Sequence, residues 1–335
     1  MQKKKKKSVV VMGGGTGTYT ILSALKKFEN LDLRAVVAMS DDGGSSGVLR
    51  DELGVLPPGD VRQCLVALSE SPDMIRSLMN YRFENGGLKG HSFGNLFLSA
   101  LEKVSGSFDT ALEHVSEIIK IKGEVIPVTF YDVKLEMQLK NGSVLRGEKN
   151  ITPSEAIQAI GIKKYLIRPE AKISPKAQKA IIEADTIIIS PGNLYTSIIP
   201  LFLVRGVNEA LSYSKARIIF MINLVTKFGQ TDNFSIFDFV DEAEKYLGEG
   251  IIDTVVFNQT EPSRFLKHRY WFWQKAKPVV YKQKERFVFD GKQFVGSDLV
   301  EPEVKRQSKS DSLIKRNLIR HDEEKTGKIL KKLIK

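Results

Sequence analysis

A chain of 335 residues, 42% hydrophobic and 27% charged, can bury a sizeable core without disulfides or a metal, which excludes a disordered or disulfide-built protein. Its net charge of +11 suggests a nucleic-acid partner, but the excess lies at the ends. Lys3–Lys7 carry five positive charges, residues 301–335 hold eleven Lys or Arg against six Asp or Glu, and everything between is left at +1, so specific nucleic-acid binding is not expected.

The apolar run at 8–12 ends in glycines and suits a strand buried on both faces. It follows the Lys3–Lys7 run but is far too short for the apolar region of a secretory signal. Ile21, Leu22, Leu25 and Phe28 give helical spacing over 18–28, and 34–39 is a second buried strand, so the opening is a βαβ unit. Helices are expected at 61–69, 72–81, 94–103 and about 108–119. The first holds the single cysteine, Cys64, whose apolar neighbours make it a buried structural thiol. One cysteine cannot close an internal disulfide, which points to a reducing cytoplasm.

Period two then takes over. Val133, Leu135, Met137 and Leu139 alternate with polar residues, and Asn141-Gly142 turns the chain before Val144 and Leu145. This is a β-hairpin, expected as a small antiparallel flap at about 130–150 outside the main sheet. Buried strands resume at 186–189, 217–222 and 254–257, with helices at 199–211 and 235–247 between them. The alternation predicts an α/β fold with a doubly wound, mostly parallel, Rossmann-like sheet, forming a single domain over 8–322. A short hairpin is expected around Asp290-Gly291, and 311–335 reads as helical with a frayed basic end. Residues 1–7 and 323–335 are taken as basic tails. No apolar stretch approaches the ~18 residues that span a bilayer.

In open parallel sheets, ligands sit beyond the carboxyl ends of the strands. Gly13-Gly14-Gly15-Thr16-Gly17 occupies that place after the first strand. Such a loop lets backbone N–H groups and a helix N-terminus approach an anion, or it is simply a tight turn. It lacks the lysine of a P-loop and fits the dinucleotide fingerprint loosely. Ser40-Asp41-Asp42-Gly43-Gly44-Ser45-Ser46-Gly47 follows the second strand, where two carboxylates could bind a ribose hydroxyl or Mg²⁺ or take a proton. The bland alternative is an Asp-capped turn. Pro57-Pro58-Gly59-Asp60 opens a helix with Arg62 in its first turn, a phosphate clamp or a solvated cation. Gly90-His91-Ser92-Phe93-Gly94-Asn95 opens another, and its histidine is a phosphate ligand, a catalyst or a structural residue. Ser190–Ser197, with Asn193, Tyr195 and Thr196, and Asn223–Thr231 repeat the strand–loop–helix design. The histidines at 91, 114, 268 and 321 lack the pairing that zinc requires, and no G-x-S-x-G elbow is present. Tyr270-Trp271-Phe272-Trp273 could stack a base, but packing against the sheet is the commoner use.

Taken in order, Gly13–Gly17, Asp41–Gly47 and Leu56-Pro57-Pro58-Gly59-Asp60-Val61-Arg62 resemble the CofD-like family, and within it the YvcK-type gluconeogenesis factors. Gly90–Asn95, Pro127-Val128-Thr129, Pro191–Pro200 and Arg320-His321-Asp322 continue the resemblance, which runs from about Val9 to Asp322. It implies a pocket shared with a transferase that moves a phospholactyl group from a nucleotide-activated donor. In the YvcK-type branch that pocket binds UDP-sugars such as UDP-N-acetylglucosamine and supports cell shape and gluconeogenic growth. On this resemblance Gly14, Gly15, Thr16 and Gly17 would line the diphosphate, with Ser45, Arg62 and Asn223 in the same cradle. Asp41 and Asp42 would face the sugar or a Mg²⁺, and His91, Ser92 and Asn95 the phosphates or reacting group. Asn193, Tyr195 and Thr196 would close the other wall, and Tyr270 and Arg320 would reach the nucleotide-sugar. The family's usual Asn-Leu-Met-Thr-Gln-Pro-Gly-Glu-Thr segment reads here Asn223-Leu224-Val225-Thr226-Lys227-Phe228-Gly229-Gln230-Thr231.

The expected function is a cytoplasmic UDP-sugar-binding regulator of gluconeogenic growth, cell-wall synthesis and cell shape, with envelope-synthesis or regulatory proteins as partners and possible pairing as a homodimer. The alternative is a phospho-organic-acid transferase of the 2-phospholactate type, with Asp41, Asp42 and His91 as catalytic candidates. Nicotinamide redox chemistry is suggested only by the glycine loop.

Overall fold

The computed structural model describes residues 6–152, 154–301 and 319–334. The apolar runs become strands: β1 (Lys7–Gly13), α1 (Gly15–Leu25) and β2 (Leu31–Val37) form the opening unit. Helices α2 (Gly44–Leu53), α3 (Gly59–Leu68), α4 (Asp73–Asn80), α5 (Phe93–Ser105) and α6 (Phe108–Ile118) lead to β3 (Glu124–Pro127). The flap holds β4 (Lys134–Leu139), β5 (Val144–Arg146) and, after the short helices α7 (Glu148–Ile151) and α8 (Ala156–Ile160), β6 (Ile162–Arg168). Helix α9 (Pro175–Ile182) returns the chain to β7 (Thr186–Ile189). A π-helical turn (Leu194–Ile198), α10 (Ile199–Phe202) and α11 (Val207–Tyr213) precede β8 (Arg217–Met221). Then come α12 (Ile236–Leu247), β9 (Thr254–Asn258), α13 (Arg264–Gln274), β10 (Arg286–Phe289), β11 (Lys292–Ser297) and α14 (Glu323–Leu333).

The main sheet runs β10-β11-β9-β8-β7-β1-β2-β3, parallel throughout except for the β10–β11 hairpin at its edge. Strand β1 lies inside it, with Val9 paired to Leu33 of β2 on one side and to Thr186 of β7 on the other. The chain winds from β1 to β3 in one direction and from β7 to β11 in the other. The β1/β7 boundary is therefore the switch point, where the loops leaving adjacent strands diverge and open a crevice. Val9, Val10, Val11, Ile187 and Ile188 are fully buried at the centre of one continuous apolar core, which also takes in Leu135 and Met137 of the flap.

The flap is present as expected but carries a third strand, β6, antiparallel to β4. Its Lys163 and Lys164 are exposed and break the alternation that would have revealed it. The helix expected over 199–211 is divided at 203–206, where Gly206 takes φ +98°. Residues 323–334 are not a loose tail. Helix α14 buries Ile329, Leu330 and Leu333 and packs on α1, where Gly327 faces Ala24. Lys7 likewise belongs to β1, while Lys3–Lys5 of the amino-terminal lysine run, and the helix expected from 311 as far as 318, lie outside the described residues. Among those residues no helix is long and apolar enough to cross a membrane.

Candidate functional site

Three strand-end loops are bound together at the switch point. Gly17 touches the loop after β7 so closely that a Cβ there would stand 1.8 Å from the Pro191 carbonyl oxygen. One residue on, the hydroxyls of Thr18 and Ser190 share a hydrogen bond of 2.7 Å. Asn223, at the end of β8, brackets Gly192: it donates to the Gly192 carbonyl at 2.6 Å and accepts from the Gly192 N–H at 3.2 Å. Within this frame α1 begins at Gly15; its N-cap Gly14 supplies no side-chain hydrogen bond and its first turn no acid, although Asp60 of α3 accepts the Gly15 N–H. The next residues, Thr16 and Gly17, bring the partial positive charge of the helix start to what lies in front.

What lies in front is a cleft of about 560 Å³, within the usual range for small-molecule sites. Thr16, Gly17, Asn193, Asn223, Lys227, Tyr270, Arg320 and His321 all contribute to its walls. The Tyr270 hydroxyl accepts the Ile319 N–H at 3.2 Å, which ties the returning segment 319–321 to α13. His321 donates one ring N–H to the Ile222 carbonyl, and burial pushes its pKa down to about 4. Its Nε2 is buried and has no hydrogen-bond partner among the described residues, so the neutral ring stands at the cleft wall with one acceptor unused.

A group of carboxylates adjoins the glycine loop. Asp60, in the first turn of α3, accepts the Gly15 N–H, and burial together with the charge of Asp41 raises its pKa to about 8. Burial also raises Asp41, opposed by hydrogen bonds from Ser46 and the Gly43 N–H, the latter at 2.9 Å. Glu148, carried over from the flap by α7, accepts the Thr196 hydroxyl at 3.1 Å. Burial and then the charges of Asp41 and Asp60 raise it to about 8 as well. Asp42 accepts the Lys149 N–H at 3.2 Å and fastens the flap to this corner. Lys227 is lowered by loss of hydration, partly offset by the charge of Glu148, so the carboxylates and the cleft form one electrostatic unit. No three His, Cys, Asp or Glu among the described residues converge to hold a metal. A Mg²⁺ at Asp41 and Asp42 would therefore need a ligand's phosphates to complete its shell.

The remaining expected residues divide. Gly14 and Gly15 lie in the loop under the cleft, Gly15 at φ +70°. Ser45 is bonded to His91 Nδ1 at 3.1 Å on the β2 side. Arg62 is not a free clamp: it is buried, with Nε on Asn95 at 2.8 Å and Nη1 on Asn80 at 2.5 Å. Asn95 is thereby occupied too, and Ser92 caps α5 by accepting the Asn95 N–H. Asn193 caps the π-helical turn while remaining on the cleft wall. Tyr195 turns away, donating to Glu242 at 2.8 Å. Of the aromatic cluster only Tyr270 packs inward; Trp271, Phe272 and Trp273 are exposed, which corrects the expectation that they pack on the sheet. The sequence reading missed Asp60, Glu148, Lys227 and His321 as site residues. Asp60, Lys227 and His321 stood in segments already named, but nothing in their spacing showed that their side chains face the site.

The family model described as 2-phospho-L-lactate transferase CofD matches residues 9–300. A relative from Thermoanaerobacterium thermosulfurigenes is 40% identical over 326 residues, 96% of this chain and 95% of that protein. The protein named gluconeogenesis factor in Halalkalibacterium halodurans is 39% identical over 270 residues, covering 80% of this chain and 82% of its own. A crystal structure of a UPF0052-family protein from Bacillus halodurans superposes with a TM-score of 0.85 at 34% identity, over 98% of this chain and 99% of that one.

Proposed function

Because this chain belongs to the CofD family and has a close relative named gluconeogenesis factor, we propose that it is a regulator of gluconeogenic growth that binds a UDP-sugar, of the UDP-N-acetylglucosamine kind, at the switch point. The observation that carries the reading is the N-terminus of α1, where Thr16 and Gly17 open onto a 560 Å³ cleft. A diphosphate fits the first-turn N–H groups of Thr16 and Gly17. The nucleoside extends toward Tyr270, Arg320 and His321, and the sugar toward Asn193 and Lys227. Near neutral pH Asp60 and Glu148 hold protons, so they do not repel the phosphates; a Mg²⁺ arriving with the ligand would have the same effect. The bound state reports cell-wall precursor supply to partners in envelope synthesis and cell shape.

Isothermal titration with UDP-N-acetylglucosamine, with guanosine diphosphate as control, tests this. Micromolar binding of the UDP-sugar alone is expected, and absence of heat with any UDP-sugar sinks the proposal. Arg320→Ala should weaken binding by about 1.5–3 kcal/mol, as for loss of a charged hydrogen bond.

The carboxylate group favours a second reading, a phospho-organic-acid transferase. An acceptor hydroxyl would attack the donor's phosphorus, a carboxylate of Asp41 or Asp42 or the His91 ring would take its proton, and a nucleoside monophosphate would leave. Chromatography of candidate donors incubated with protein and Mg²⁺ should then show that monophosphate, and its absence argues for binding alone.

A further inference from the structure

Helix α13 has two faces. Leu266 and Tyr270, one turn apart, are buried, and Tyr270 and Gln274 form part of the cleft wall. On the other side Phe265 is 70% exposed, and Trp271, Phe272 and Trp273 are 52%, 74% and 76% exposed. Phe265 and Phe272 are seven residues apart and share one outward stripe. Four large aromatic side chains held in water on a single helix are a standing cost of unburied apolar surface. Exposed Arg264, His268 and Arg269 interleave with them, and neither arginine makes an ion pair with a described residue. Lys275 stands 4.3 Å from the Phe228 ring and Lys277 5.6 Å from the Trp271 ring. From Ser263 to Lys284 the chain holds seven Lys or Arg and no Asp or Glu.

We propose that the outward face of α13 docks on an anionic lipid surface, with Phe265, Trp271, Phe272 and Trp273 entering the headgroup–acyl boundary and Arg264 and Arg269 pairing with lipid phosphates. Charge complementarity selects this occupant. Exposed Trp and Phe flanked by Lys and Arg are what an interfacial helix uses, the rings inserting while the cations remain at headgroup level. A polynucleotide would instead need a wide basic footprint, yet the residues between the two charged ends carry only +1 in sum, so the positive charge here is local. Docking would also set the cleft beside the bilayer, because the inner face of the same helix is cleft wall. The surface is separate from the nucleotide-sugar reading and stands whether or not that ligand binds.

Trp271 and Trp273 are the chain's two tryptophans, so intrinsic fluorescence reports on this helix alone. The unmodified protein is mixed with vesicles of phosphatidylcholine, or of phosphatidylcholine with phosphatidylglycerol, the latter also with brominated acyl chains. The expected result is a blue shift and bromine quenching on the anionic vesicles only, reversed by salt. Phe265→Ser/Phe272→Ser should weaken partitioning by about tenfold or more, and Arg264→Gln/Arg269→Gln by about fivefold per charge, with melting curves unchanged because all four side chains are exposed. The proposal falls if the tryptophans are neither shifted nor quenched, even where the protein sediments with vesicles through its lysine-rich ends. It falls equally if phosphatidylcholine alone binds as tightly, or if both variants partition like the parent. A concentration-dependent blue shift without lipid, with a doubled mass, would assign the face to a second copy. Quenching by an oligonucleotide with no response to vesicles would assign it to nucleic acid.

Discussion

Gly15 and Gly17 lie in the first turn of α1 and answer to different constraints. At Gly15 an added Cβ meets nothing nearer than Asp60 at 3.9 Å, but the backbone is left-handed at φ +70°. Gly15→Ala should therefore fold with a loss of about 1 kcal/mol and show its main effect on ligand affinity. At Gly17 the added carbon strikes the Pro191 carbonyl, so Gly17→Ala should cost at least about 1–3 kcal/mol as an overpacked contact and loosen the whole switch point. Urea denaturation of the two variants checks the order, and equal losses would mean that the loops are not locked as described. Asp60 makes a pH prediction at the same scale. An unfolded aspartate titrates near 3.9 and the folded one at about 8, so the native state holds the extra proton between those values. Stability then falls as pH rises from about 4 to 8, and Glu148 adds to the same slope. Asp60→Asn should flatten the decline and melt higher than the parent at pH 8, each kcal/mol of relief being worth roughly 2–4 °C. A variant with the parent's slope would show that Asp60 ionises freely. UDP-sugar affinity should also drop from pH 7 to 9 as these carboxylates acquire charge beside the phosphates, with Mg²⁺ opposing the drop.

Among the elements, α14 separates what sequence conveys from what it does not. Its apolar residues Ile329, Leu330 and Leu333 sit among Lys325, Lys328, Lys331 and Lys332, and the charge masks a narrow buried stripe. Leu330 is fully buried, so Leu330→Ala should cost about 2–5 kcal/mol by calorimetry; no loss would return the segment to a detached tail. The buried strands were legible because a strand covered on both faces reads as a continuous apolar run. Strand β3 was not, being four residues ended by Pro127, and β6 was hidden by its exposed lysines. Glycines and serines at 43–47 read as loop, yet α2 starts at Gly44, because a sheltered helix start needs small residues more than strong helix formers.

For the molecule as a whole, the flap and the main sheet share one apolar core, and such a body should unfold in one cooperative transition with equal calorimetric and van't Hoff enthalpies. A separate low-temperature step would show the flap to be an independent unit. The position of the candidate cleft was legible at this scale, since several polar and glycine-rich loops fall at strand ends and a doubly wound sheet gathers those ends at one rim. Which side chains turn inward was not. Arg62, Asn95 and Tyr195 have the right chemistry but are bound to Asn80, Arg62 and Glu242, and that choice depends on packing between helices far apart in sequence.

The pairing of β1 with β7 also fixes a timetable. One wall of the cleft is translated at Gly17 and the opposite wall at Arg320. At roughly 5–20 residues per second, about 15–60 s separate them on the ribosome. Until the later wall emerges, the glycine loop has no facing surface, and β1 offers an unpaired edge to the sheet that will receive it. If the proposed ligand binds there, nascent chains would be blind to it for most of their synthesis. On that reading, products of premature termination would not compete for it with finished copies.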